Sequence, residues 1–274
     1  MGPKVKWLWS RLIVLSLVIL SGRTLSSAKE VRLAQIEGAS TAAKYIEIRR
    51  GMAAAAEVGF FNAYVSRGQV NNDEPVVQPQ IEIMKYGVYF NAWGNLDLTD
   101  RVTGRRDFEE VDLTAGYKFP LEDVEIRLGI IDYLYPNLSC PETREVFGIF
   151  EYPNSILTPR LECYYDFVQA RGVYVFAVLE HEFAFLGDKL RLIPGVSSGW
   201  GSCTYNTYFF ETSEGALNDG NVYAELEYDL VDNLPVGVSA AYMWLWNADI
   251  REGASDIYMD TKHWSFGTRL IYDL

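Results

Sequence analysis

The chain has 274 residues, of which 49% are hydrophobic and 14% aromatic, and its formal net charge is -13 at a sequence pI of about 4.7. That length suits one large domain or two small ones. The acidity excludes nucleic acid as the partner, because phosphate binding needs a basic stripe. Pro and Gly are spread through the chain without a low-complexity tract, which excludes long disordered stretches.

The first element is a targeting segment. Lys4, Lys6 and Arg11 lead into the apolar run Leu12–Leu20, and Ser26-Ser27-Ala28 supplies small residues for cleavage. This order predicts a secretory signal peptide over 1–28. The run is too short for a membrane-spanning helix, which takes about 20 residues. Cleavage after Ala28 would remove four basic residues and no acid. Residues 29–52 are read as an N-terminal periplasmic connector without an assigned role.

From about residue 53 to 274 the pattern is period two. Val77, Pro79, Ile81 and Ile83 alternate with Gln78, Gln80 and Glu82. Val88, Phe90 and Ala92 alternate with Tyr89, Asn91 and Trp93, and Val222 to Leu230 with Asn221 to Asp229. Such alternation is the mark of strands with one apolar and one polar face. About twelve strands can be traced, each near the roughly 9–11 residues a tilted strand needs to cross a bilayer. Short turns fall near Lys85, Leu121, Asn154, Gly187 and Asn233. Longer loops fall at Gly68–Val76, Leu98–Asp107, Pro136–Glu142, Gly201–Asn218 and Asn247–Asp260. The expected fold is all-β: a transmembrane antiparallel up-and-down β-barrel, closed because a bilayer tolerates no unpaired edge. Phe60, Phe61, Tyr64, Trp244, Trp246, Trp264 and Tyr272 at strand ends suggest aromatic girdles at the two interfaces. A soluble sandwich or barrel would place its aromatics by core packing instead.

The last strand, with Phe266, Leu270, Tyr272 and Leu274, resembles the C-terminal signature of bacterial outer-membrane proteins. That likeness implies recognition by the barrel-assembly machinery; the usual last residue is Phe, so Leu274 departs from it. Further stretches are Tyr64-Val65-Ser66-Arg67-Gly68, Val88-Tyr89-Phe90-Asn91-Ala92-Trp93-Gly94-Asn95, Glu110-Val111-Asp112-Leu113-Thr114-Ala115-Gly116-Tyr117, and Tyr133-Leu134-Tyr135-Pro136 followed by Thr143-Arg144-Glu145. In order and spacing they resemble the TorF-type porins, a bacterial family of outer-membrane barrels. The resemblance implies a barrel and a porin role, and no particular substrate. The segment before Glu57 is longer than that family's usual lead-in.

If the apolar face meets outer-membrane lipid, the polar face lines a lumen. The candidate pore-lining residues are Glu82, Glu110, Asp112, Glu125, Arg127, Glu145, Glu162, Asp166, Glu180, Glu182, Arg191, Glu225, Glu227, Asp229 and Arg269. Carboxylates outnumber bases there, and rings of carboxylates attract cations. The expected function is passive diffusion of small solutes with a preference for cations. The alternatives are a non-conducting barrel with a structural or surface-interaction role, in which acids and arginines pair across the lumen, and an outer-membrane hydrolase. The hydrolase reading rests on His263 and Ser265 sharing a strand face, with no evident carboxylate or amide to orient the histidine. Glu180-His181-Glu182 cannot converge on a metal, because adjacent strand residues point to opposite faces. No cofactor, metal or catalytic residue is expected. Cys140 and Cys203 fall in long loops on the same predicted side, so export leaves a disulfide between them open; Cys163 is read as a lipid-facing thiol.

Overall fold

A computed structural model describes residues 52–121, 124–153 and 156–274. The predicted signal peptide, the connector up to residue 51, part of the turn after Pro120 and the turn at Asn154 lie outside the described residues.

The strands are β1 (Met52–Phe61), β2 (Tyr64–Ser66), β3 (Gln69–Asn72), β4 (Val76–Lys85), β5 (Val88–Asp97), β6 (Phe108–Lys118), β7 (Glu125–Leu134), β8 (Thr143–Glu151), β9 (Thr158–Asp166), β10 (Val173–Glu180), β11 (Phe183–Phe185), β12 (Leu190–Gly201), β13 (Ala216–Val231), β14 (Leu234–Leu245) and β15 (Lys262–Asp273). Two helices accompany them, α1 (Cys203–Phe210) and α2 (Ala248–Ile257). Twelve strands, all but β2, β3 and β11, form one antiparallel ring. Each pairs with its neighbour in sequence, and β1 closes the ring against β15 through pairs such as Glu57↔Ile271. No edge of the ring is left for lipid to meet.

The polarity is inside out. On β5, Phe90 is 62% exposed while its neighbour Tyr89 is 3% exposed. The same alternation puts Leu128, Phe150, Leu161, Val222, Leu226, Phe266 and Leu270 on the outside, and Glu82, Glu145, Glu225 and Arg269 within. An apolar belt of this extent would be an aggregation liability in water. Around a closed barrel it is the surface that meets hydrocarbon. The expected twelve-strand transmembrane barrel is therefore what the chain forms.

Two of the aromatics expected in the girdles are inside instead. Phe61 has the inward parity of β1, and its ring covers Gly59 and Gly267, whose missing side chains leave the space. Tyr64 turns into the lumen and donates to Glu110 at 2.8 Å. Phe60, Trp246, Trp264 and Tyr272 are exposed.

The connections differ at the two ends. Beside Lys85, Leu121, Gly187 and Asn233 they are short. At the other end, three stretches read as loops are folded. β2 and β3 make a hairpin of their own between β1 and β4. Its two-residue turn, Arg67-Gly68, has φ 48° and 80°, the left-handed pair that a tight hairpin requires. The span Gly201–Asn218 contains α1, with Ser202 as N-cap, and Asn247–Asp260 contains α2, where Asn247 Oδ1 accepts from the backbone of Asp249 and Ile250. The helices cross so closely that a Cβ on Gly253 would lie 1.7 Å from the Phe210 carbonyl oxygen. Val70 of the hairpin, Tyr205 and Phe210 of α1, Ile250 and Ala254 of α2, and Tyr174 and Leu245 of the wall form one buried apolar cluster.

Candidate functional site

The inward face of the barrel is charged, and its charges sit in clusters. At the short-turn end, Arg269 on β15 faces Gly59 on β1 and Gly237 on β14. The room over Gly237 is taken by the Glu225 carboxylate, and the Arg269 guanidinium contacts Glu225 and reaches Glu57 and Glu227 at 3.5 Å. Arg191 holds both oxygens of Asp229, at 2.6 and 3.0 Å, and Glu227 at 3.2 Å. Also beside a short turn, Lys118 at the end of β6 lies 2.5 Å from Glu125 at the start of β7, which also contacts Arg127. Arg160 pairs with Glu162 at 2.6 Å and Glu151 at 3.5 Å, and Tyr164 donates to Glu162. Tyr223 donates to Glu180 at 2.8 Å.

Toward the long-loop end the hairpin enters the lumen. Arg67 at its tip reaches the opposite wall. Nη1 and Nη2 donate to Glu145 at 2.7 and 2.8 Å, and Nη2 to the Tyr133 hydroxyl at 3.2 Å. The guanidinium lies 4.2 Å from the centroid of the Tyr164 ring and 4.9 Å from that of Tyr174. Burial alone would pull Arg67 down, but Glu145 and the surrounding phenols push it up by more, so it stays charged. Burial and then the Glu110 carboxylate push the Tyr64 phenol well up, which keeps it a donor. Behind the hairpin, Glu109 accepts from Asn72 and Asn95, both at 2.5 Å. One oxygen of Asp112 is buried without a hydrogen bond.

A cavity of about 410 Å³ runs through this interior. It extends from Tyr64–Arg67, Tyr205 and Phe209 at the long-loop end to Glu182, Lys189, Asp232 and Asp273 at the short-turn end. Among the described residues, twelve carboxylates and six basic side chains line it. Of the residues singled out from sequence, Glu82, Glu110, Asp112, Glu125, Arg127, Glu145, Glu162, Glu182, Arg191 and Asp229 lie on its wall.

The other five are inward but off the cavity. Asp166 accepts from Thr143 at 2.6 Å and from the backbone N–H groups of Val168 and Gln169, which ties it to the β9–β10 turn. Glu180 lies beneath the Tyr223 hydroxyl, and Glu225, Glu227 and Arg269 bury one another against the wall. Sequence reasoning missed Arg67, Lys118 and Glu151. Lys118 and Glu151 continue the inward parity of their strands by one step, a signal available from alternation alone. The other signal was Arg67-Gly68 at the start of the Gly68–Val76 loop, with Val65 before it and Val70 within it.

His263 and Ser265 share the inward face of β15. Among the described residues no hydrogen bond joins them, and His263 Nε2 is buried without a partner. Cys140, Cys163 and Cys203 are all free, exposed thiols. The structure therefore does not make the Cys140–Cys203 disulfide: Cys140 stays in the β7–β8 loop while Cys203 opens α1.

The backbone is similar to that of solved outer-membrane channels. The COG4313 outer membrane channel from Pseudomonas putida F1 aligns with TM-score 0.50 and 9% identity, over 89% of this chain and 100% of that one. The KdgM porin aligns with TM-score 0.48 and 10% identity, over 80% and 99%. The channel DcaP of Acinetobacter baumannii aligns with TM-score 0.40 and 6% identity, over 82% and 96%. At such identities the likeness is one of fold. No curated protein sequence matches the chain. Residues 47–193, more than half of the chain, match the family described as "Bacterial protein of unknown function (Gcw_chp)", and the chain belongs to that family.

Proposed function

We propose that this protein is a porin-like channel of the bacterial outer membrane through which small solutes diffuse passively, with cations preferred. The observation that carries the reading is the cavity wall, where carboxylates outnumber bases two to one. The P. putida channel that shares the fold and the sequence likeness to the TorF-type porins support the same role. Export by the signal peptide ending at Ala28, and assembly through the strand that ends at Leu274, complete it.

Single-channel recording of the refolded barrel in a planar bilayer under a KCl gradient tests this. Discrete steps with a cation-selective reversal potential are expected. An anion-selective potential would keep the channel and sink the cation preference. A second reading, a barrel that does not conduct, is favoured by one observation: the hairpin is anchored across the lumen through Arg67 and Glu145. A folded, heat-modifiable barrel that never conducts would decide for it.

A further inference from the structure

The groups that hold Arg67 form a receptor for its side chain. Glu145 presents both oxygens to the guanidinium edge, Tyr133 adds a third acceptor, and Tyr164 and Tyr174 offer their ring faces. A carboxylate fork between aromatic faces suits a planar, weakly hydrated guanidinium better than a compact, strongly hydrated ammonium. All four wall residues belong to β7–β10 of the closed barrel. The cation comes from elsewhere, from a hairpin whose strands form a separate two-stranded sheet. Such a hairpin is marginal by itself and is held here by Val70 in the helix cluster, by Tyr64 and Asn72 on Glu110 and Glu109, and by Arg67 on the far wall. Its tip residue also adopts φ 48°, which a residue with a Cβ resists. The wall is thus the permanent part and Arg67 the removable one. Tyr133, Glu145 and Tyr164 also line the cavity, so a solute in the lumen reaches the same groups.

We propose that the Tyr133–Glu145–Tyr164–Tyr174 wall is a guanidinium-binding site, filled by Arg67 of the chain's own hairpin, and that solutes carrying a guanidinium group compete with Arg67 for it and release the hairpin. The binding half stands on the geometry; the release of flow rests on the diffusion reading above.

The test begins with calorimetric titration of methylguanidinium chloride into the refolded Arg67→Ala barrel in detergent, with methylammonium chloride as control. Saturable binding, tighter for methylguanidinium by about tenfold or more, is expected, and it should vanish when Glu145→Gln is added. No saturable binding, or equal binding of the two cations, overturns the site. Should Arg67→Ala refold poorly, Arg67→Gln keeps the side-chain bulk without the charge and is titrated in the same way. In the planar bilayer, methylguanidinium should raise the mean conductance of the wild-type barrel saturably, and Arg67→Ala should conduct without it. A wild-type barrel that conducts but ignores methylguanidinium overturns the release. Binding in detergent with no conductance from any variant leaves the site standing and sinks the diffusion reading instead.

Discussion

Arg269 is 2% exposed, and two of the carboxylates around it, Glu225 and Glu227, are fully buried. A buried cluster of this kind gains little over an apolar one, but removing one member strands the others. The cost of that is about 3–5 kcal/mol. Arg269→Ala takes from Glu57, Glu225 and Glu227 the guanidinium they share, and Arg191, which also reaches Glu227, already holds Asp229. The variant is therefore expected to lose stability in that range, read from the urea midpoint of the barrel refolded into vesicles. Adding Glu225→Gln should recover part of the loss, because one of the stranded charges is then gone. Arg101→Ala, which removes an exposed loop pair with Asp73, serves as the control and should leave the midpoint where it was. Equal midpoints for Arg269→Ala and wild type would mean that the cluster does not hold the C-terminal strand to its neighbours.

The hairpin is the element that most alters the lumen. Its stems are already joined in the sheet, since β1 and β4 pair down to Phe61↔Val76. A short Gly-Ser turn in place of residues 63–74 would therefore span the gap without disturbing the ring. The expected outcome is a barrel that refolds and remains heat-modifiable, with conductance raised several-fold because the segment crossing the lumen is gone. Unchanged conductance would mean that the narrowest point lies elsewhere, among Tyr89, Trp93 or Tyr223. The barrel strands were legible from sequence for a local reason. Each residue from Val88 to Trp93, or from Asn221 to Tyr228, must match either lipid or the interior, and the two alternate at every step. The hairpin and the helices were not legible, because a connection that folds back is decided by distant partners. Arg67 meets Glu145 across 78 residues of sequence. The same distance effect misled the reading of Phe61 and Tyr64, whose place near a strand end looked interfacial until Gly267 and Glu110 came up beside them. Local cues to the folded loops existed in Arg67-Gly68, Ser202 and Asn247, but each also fits an ordinary loop.

At the scale of the molecule, the barrel separates two solvents, and the charge of its interior is then felt by whatever enters. Among the described residues, the cavity wall carries twelve carboxylates against six bases. Several are paired, as in Lys118–Glu125 and Arg67–Glu145, and a paired carboxylate adds little field. On the channel reading proposed above, the surplus acids would set the sign, and low-dielectric walls around them would focus the field along the axis. Salt weakens such a field: the screening length is about 10 Å at 0.1 M and about 3 Å at 1 M. If the preference for cations comes from the summed lumen charge, the K⁺ over Cl⁻ permeability ratio should be well above one at 0.1 M KCl and fall toward one at 1 M. Reversal potentials across matched KCl gradients measure it. A ratio that stays high at 1 M would point to direct contact between the ion and a single dehydrated carboxylate rather than to the field of the whole barrel. A ratio below one at every salt would mean that Arg127, Arg160 and Lys189 govern entry, and that the acids are neutralised by their partners.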